Sequence, residues 1–474
     1  MNLFRTKAID ASGSSGLKRD LNAFDLTMLG VGAIIGAGIF VLTGRSAATE
    51  AGPAIMLSFV IAGIACTCAA LAYAELAAAI GGAGSAYSYG YAGFGELPGW
   101  IIGWMLLAEY ALSVSTVAVG WSAYFNDGLI ALGKVFGGDW GFPPSLLHGP
   151  FEGSGGIINL PASALLVALG LLLASGAKSS ARFNAVMVII KLSAIILFIV
   201  VAIGHFDSAN WHPFIPAREV GADGHAHFGI PGVLSGAALV FFAYIGFDAV
   251  STSAEETANP QRDLPIGIVG SLLICTVLYI IVSGLLTGIV PYRELNTAAP
   301  VSHALLMLNM NKVAGLISIG AIAGLTTVCL VMYYALTRLL FAISRDGLLP
   351  RGISTVSGNG SPQRIIVLVG VAMVLLAGLL PLNRLAELTN ISTLAAFVVV
   401  CGGVISLRAS QPNLVRPFVM PWSPILPIFG MAASVLLMVS LPLTTWVAFV
   451  IWMAIGFAIY FTYSYSHSAL ATSK

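Results

Sequence analysis

Charged residues are scarce in this sequence. Only 9% of its 474 residues are Asp, Glu, Lys or Arg, against about 25% in soluble domains. A surface that poor in charge cannot be solvated all round, which excludes a soluble enzyme or binding module. Lys plus Arg at 21 nearly balance Asp plus Glu at 20, so the basic footprint of a nucleic-acid binder or a polybasic lipid patch is missing too. The five cysteines, Cys66, Cys68, Cys275, Cys329 and Cys401, all sit inside apolar runs. They have neither metal-ligand spacing nor an extracellular disulfide partner, and read as small buried apolar residues. No cleavable leader is expected, because a polar, partly basic stretch precedes the first apolar run and no small-residue cleavage site follows a short core.

What fills the chain is apolar sequence, 58% of it. Runs of about 17 to 25 residues or longer are the signature of membrane helices. Twelve are expected, at 24–46, 53–80, 97–125, 160–175, 183–204, 232–253, 265–290, 313–341, 364–380, 385–407, 423–441 and 444–465. The fourth and ninth are short; the third and eighth are long enough to tilt strongly or project into water. The longest connections are 126–159 and 205–231. With the N-terminus inside, fourteen basic residues fall on the inner side and six on the outer, with Lys191 on neither. That asymmetry predicts both termini cytoplasmic.

The first span carries four glycines in Gly30-Val31-Gly32-Ala33-Ile34-Ile35-Gly36-Ala37-Gly38, each costing about 1 kcal/mol against alanine inside a helix. One reading is close packing of two helices through small residues. The other is a break near mid-membrane, tolerable only where freed backbone lines a cavity. There the N-terminus of the resumed half-helix, with its orphan donors and partial positive charge, would suit a carboxylate. A second interrupted span lies five spans later, Phe241-Phe242-Ala243-Tyr244-Ile245-Gly246-Phe247-Asp248, with Gly246 as the expected weak point. Broken spans at the first and sixth positions point to an inverted-repeat secondary transporter with its site at the midplane. In that arrangement an amino acid carboxylate sits on N–H groups around Ile34, Gly36, Ala37 and Gly38. Its ammonium sits on carbonyls of Phe242, Ala243 and Ile245. The domain plan is a cytoplasmic segment 1–23, repeats 24–204 and 232–407, two further spans within 423–465, and a cytoplasmic tail 466–474.

Ionisable groups deep in the spans are costly and are functional candidates. Lys191 follows Arg182 by nine residues, roughly 13 Å into its helix at 1.5 Å per residue. It can snorkel to an interface, or hold the first and eighth spans together through their carbonyls, where a sodium ion would otherwise serve. Because burial disfavours a charged amine, Lys191 is a candidate proton carrier. Glu109 reads three ways: a proton-linked acid, a partner for a pocket cation, or a neutral carboxyl bonded to a carbonyl. Asp248 is expected to cap the second break, and Glu75 to be an interfacial or gate residue. Glu255 and Arg262, within Glu255-Glu256 and Asn259-Pro260-Gln261-Arg262-Asp263, look like an inner gate or an ordinary solvated loop. Loop histidines His205, His212, His225 and His227, beside Asp223, are read as solvated rather than as metal ligands.

These segments resemble a known family. Gly32 to Phe40, Phe241 to Asp248, Ala254-Glu255-Glu256 with Asn259 to Asp263, and Ser344-Arg345-Asp346-Gly347-Leu348-Leu349-Pro350 are similar to the cationic amino acid transporter branch of the amino acid-polyamine-organocation superfamily, especially its bacterial members. The similarity runs from about Leu21 to His467. It implies an all-α, twelve-helix polytopic protein of LeuT type, five plus five inverted helices with helices 1 and 6 broken and two extra. It also implies proton-coupled amino acid uptake across the cytoplasmic membrane, the sodium-substituting amine at Lys191, and Met332 beside the substrate side chain. Two departures stand out: Ala37 where the family commonly has threonine, and no proline before the turn in Ile80-Gly81-Gly82-Ala83-Gly84-Ser85-Ala86-Tyr87.

The bulk of Met332, Phe242 and Tyr244 favours small neutral side chains such as alanine; the branch name favours arginine and lysine, with Glu109 as counter-ion, or polyamine exchange. No cofactor, metal or sodium is expected, the proton being the coupling ion. The partners are the substrate and membrane lipid, with room for a small single-span protein. No set of nucleophile, base and orienting group is visible in the spans, which speaks against an enzyme, and no ring of like charges marks a pore.

Overall fold

The computed structural model describes Arg5 and residues 21–80, 86–138, 140–152, 155–174, 181–220, 226–248, 250, 257–355 and 361–472. Among these, helices lie on each of the twelve expected spans. Seven are long and apolar enough to cross a membrane by length and composition, and the shorter apolar ones include Ala23–Ile34, Leu160–Ala174, Gly229–Tyr244, Gln363–Leu379 and Ile425–Val439. The short pieces Ala23–Ile34 and Gly229–Tyr244 are halves of the first and sixth spans, cut where the sequence places its breaks. The third span is longer than expected: its helix runs Glu96–Phe136. The expected loop 126–159 therefore begins as helix and turns only at Gly137, left-handed at φ 79°.

Two short helices had no counterpart among the expected spans, Ala86–Gly93 between the second and third and Pro300–Met307 between the seventh and eighth. In the connection 205–231 a two-residue hairpin pairs Glu219 with His227 and Val220 with Ala226. His227 meets Glu50 at 3.3 Å, and among the described residues no three metal-ligating side chains gather. His225 and Asp223 lie outside the described residues.

The core is built around the two broken spans, with the long third and eighth helices packed against each other and the second helix, Ile55–Ile80, packed along the seventh, Pro260–Ile289. Helices at the other extreme, such as Leu443–Ile459 with only Thr445 and Gly456 buried, present apolar side chains outward, as lipid-facing helices must. Glu75 is a buried fastening near the C-terminal end of the second helix. It accepts from Arg408 Nε at 2.9 Å and from the Met420 N–H at 2.7 Å, and Arg416 stands 3.6 Å away. This joins the second helix to the tenth, Leu382–Ser410, and to the connection that follows it.

Candidate functional site

The first half-helix begins with a capping box in which the Asn22 side chain accepts from the N–H groups of Phe24 and Asp25, and the Asp25 carboxylate from that of Asn22. It ends at Ile34. Ile35 is extended at φ −73°, ψ 102°, and helical geometry returns at Ala37, φ −60°, ψ −24°. The break is thus at Ile35-Gly36, inside the glycine-rich stretch Gly30 to Gly38, and Ala37 and Gly38 already belong to the second half. No helical turn spans Ile35 and Gly36. The N–H groups of Gly36, Ala37 and Gly38 therefore meet no carbonyl of their own helix, which is the condition for an anion site at a helix start.

The second break opposes it. Helix Gly229–Val240 tightens to a 3-10 turn at Phe241–Tyr244. Ile245 is extended, and Gly246 takes φ 113°, a conformation that strains any residue with a Cβ. Asn390 Nδ2 donates to the carbonyls of Ala238 and Leu239 at 2.7 and 3.1 Å, satisfying the loosened end. The carbonyl of Phe242 accepts from the Ile245 N–H at 3.2 Å and that of Ala243 from the Tyr279 hydroxyl at 2.8 Å. Each of these keeps a second lone pair for an ammonium.

The two breaks touch. A Cβ at Gly38 would stand 2.2 Å from Ala243 Cα, and one at Gly246 3.0 Å from the Ala33 carbonyl oxygen. Residues around them are buried, Ala37 and Ala243 each to 1% exposure and Phe242 to 4%. The hollow expected between the breaks is closed here by backbone contact, which only the small residues permit. A void of about 10 Å³ beside Ile39, Phe40 and Val282 is apolar and no larger than one water. Tyr279, on the seventh helix, spans both breaks: its hydroxyl lies 3.0 Å from the Ile34 carbonyl oxygen and 2.8 Å from that of Ala243.

Lys191 is fully buried, and its amine donates to the carbonyls of Gly32 and Ile35, the latter at 2.9 Å. Snorkelling is therefore overturned: the amine satisfies the last carbonyls of the first half-helix instead of reaching an interface. The bridge to the eighth span is different from the one expected. That helix meets the lysine stem, where a Cβ on Gly324 would lie 3.2 Å from Lys191 Cβ and Cδ.

Glu109 and Tyr110 sit side by side on the third helix. The Tyr110 hydroxyl donates to Asp248 Oδ2 at 2.5 Å, anchoring the stretch after the second break. Glu109 is 1% exposed, and its Oε2 has no hydrogen-bond partner among the described residues. The same holds for the hydroxyl of Tyr73, whose ring packs on Phe247. Met332 is buried at 1% exposure, but the eighth-helix side chain that lies on the first break is Val328, with Cγ2 3.3 Å from where a Gly36 Cβ would be. Glu255 falls outside the described residues, and Arg262 is exposed at the start of the seventh helix, away from the breaks. Tyr279, Tyr110, Tyr73 and Val328 were not singled out from sequence. The tyrosines could have been, as hydroxyls inside apolar runs; Val328 carries no signal.

A family model described as amino acid permease matches residues 21–461. The chain belongs to the amino acid permease family. With that membership come the LeuT-type membrane fold and a transporter's rather than an enzyme's function, in a multi-pass protein of the cell membrane. Among relatives of this permease, a branched-chain amino acid permease, BcaP, of Bacillus subtilis is 47% identical over 99% of both chains. A methylthioribose transporter of the same organism is 46% identical over 99% of both. A vacuolar cationic amino acid transporter of Arabidopsis thaliana is 36% identical over 87% of this chain and 68% of its own.

Proposed function

We propose that this permease carries neutral aliphatic L-amino acids, of alanine to branched-chain size, into the cell together with a proton, both of its termini being cytoplasmic. The observation that carries the reading is the contact of two main-chain breaks. One presents the unpaired N–H groups of Gly36, Ala37 and Gly38; the other presents carbonyls of Phe242, Ala243 and Ile245. Donors at a helix start suit a carboxylate, and half-used carbonyls suit an ammonium. Separation of Gly38 from Ala243 would admit the substrate between them, and closure would occlude it. Repeats 24–204 and 232–407 rocking about this point supply alternating access.

In this reading the proton works through Lys191. Protonated, the amine ties Gly32 and Ile35 to the fifth helix; deprotonated, it can donate less and releases the end of the first half-helix. Sodium is not needed, because the amine already satisfies those carbonyls. The full-length relative that carries branched-chain amino acids agrees with an aliphatic side-chain compartment bounded by Val328 and Met332.

A second reading, uptake or exchange of cationic amino acids, has one observation in its favour: Glu109 Oε2 is buried without a partner and could face a basic side chain. The deciding experiment is uptake of labelled leucine, alanine and arginine into proteoliposomes under separately imposed proton and sodium gradients. Symport of neutral substrates requires leucine or alanine accumulation that a protonophore abolishes and that sodium does not replace. Arginine uptake driven by internal arginine, indifferent to the pH gradient, would select the second reading. Methylthioribose has neither carboxylate nor ammonium, so its uptake in preference to all three would overturn zwitterion recognition by the breaks.

A further inference from the structure

At the bundle end that carries the connections 126–159 and 205–231, a cavity of about 310 Å³ opens between the starts of the tenth and twelfth helices. Its apolar wall includes Phe151, Leu380, Leu388 and Ala448, and its polar rim is Arg384 with Thr444. The guanidinium is held in place through one terminal nitrogen, Nη1, which donates to the Thr444 hydroxyl and lies 3.3 Å from Glu387 Oε2. Glu387 Oε2 also accepts from Thr445 at 2.8 Å. The other N–H groups of Arg384, on Nε and Nη2, meet no protein acceptor among the described residues, and the side chain is 47% exposed.

We propose that this cavity is a binding site for an anionic phospholipid, its phosphate on the free edge of Arg384 and the first part of an acyl chain along Leu388 and Ala448. The chemistry selects that occupant over others. A guanidinium with two free N–H groups in fork geometry matches a phosphate, and the adjoining wall is apolar. The twelfth helix beside it is a lipid-facing helix in which only Thr445 and Gly456 are buried, so the acyl chain continues into the bilayer without leaving apolar surface. Glu387 does not compete with the phosphate for the free edge of Arg384, since it engages Nη1 alone, through an Oε2 that also accepts from Thr445. A simple surface ion pair between Arg384 and Glu387 would be worth little and would show no lipid preference.

The test is thermal unfolding and native mass spectrometry of the full chain with phosphatidylglycerol, phosphatidylcholine, or sn-glycerol 3-phosphate alone. Phosphatidylglycerol should be retained and should raise the melting temperature more than phosphatidylcholine. Arg384→Gln should weaken its retention roughly tenfold, the worth of one charge-assisted hydrogen-bonded contact. Ala448→Phe, which fills the apolar wall and leaves the guanidinium intact, should do the same. Melting of both variants in phosphatidylcholine reports whether they fold. Equal retention of the two lipids by the native chain would overturn the proposal, as would undiminished phosphatidylglycerol retention in folded Arg384→Gln. An equal effect of glycerol phosphate alone would show a headgroup-anion site and refute the lipid.

Discussion

Gly38 and Ala243 are in backbone contact across the middle of the protein, with no room for a β-carbon at position 38. Each belongs to a different broken helix, so in the proposed site this one contact sets how closely the N–H groups offered to the carboxylate and the carbonyls offered to the ammonium approach. Gly38→Val is expected to abolish substrate binding, since the atoms it meets are the main chain and β-carbon of Ala243, which cannot swing aside. Equilibrium binding of labelled substrate in detergent checks this, and unaltered affinity would place the carboxylate elsewhere. Gly36→Ala should be milder, because its Cβ meets only the Val328 side chain at 3.3 Å, and Val328→Ala should restore it.

Lys191→Ala removes the amine from the carbonyls of Gly32 and Ile35. Gradient-driven accumulation should be lost while substrate counterflow partly survives, because the breaks themselves remain. Concentrative uptake at the native level in this variant would rule out the coupling role.

Tyr279→Phe deletes the hydroxyl shared between Ile34 and Ala243 and little else. The expected cost is roughly 1 to 3 kcal/mol for buried acceptors left short of a donor, seen as a lower melting temperature. Substrate affinity should change as well, since Ala243 is an acceptor in the proposed site. A change in melting alone would make Tyr279 a structural fastening without influence on the ligand.

Glu109→Gln keeps shape and removes the ionisable group whose Oε2 is unpartnered. If Glu109 is a proton-linked acid in addition to Lys191, the change should spare binding of leucine and reduce proton-driven uptake. If Glu109 instead serves as counter-ion to a basic side chain, arginine binding falls and leucine is unaffected.

Glu75→Gln leaves Arg408 and Arg416 without their carboxylate near the C-terminal end of the second helix. Removing one partner of a buried pair should cost about 2 kcal/mol or more, measured as a drop in melting temperature. Substrate affinity should be unchanged, since the group lies away from the breaks.

Apolar run length and glycine placement determined a good deal without coordinates. Spans of the right length can only be membrane helices when charge is this scarce, and main chain that leaves helical geometry in lipid must find a protein-lined place. The first and sixth interruptions, and the burial of Lys191, were therefore legible, as were the family segments. The exact residue of the first break was not. Whether Gly36 or Gly38 opens the helix depends on which neighbours, Val328 or Ala243, crowd each one.

Only the tertiary structure decided which groups from distant spans share a bond. Nothing in the spacing of Tyr279 says that its hydroxyl reaches Ile34 and Ala243 together, or that Tyr110 rather than Glu109 holds Asp248. Glu75 reads from sequence as an interfacial or gate residue, and only the structure gives its partner, Arg408. Periodicity and composition act along one helix, where the physics is local. Hydrogen bonds between helices depend on rotation and register, which are set by the sum of all packing contacts and by no single stretch of sequence.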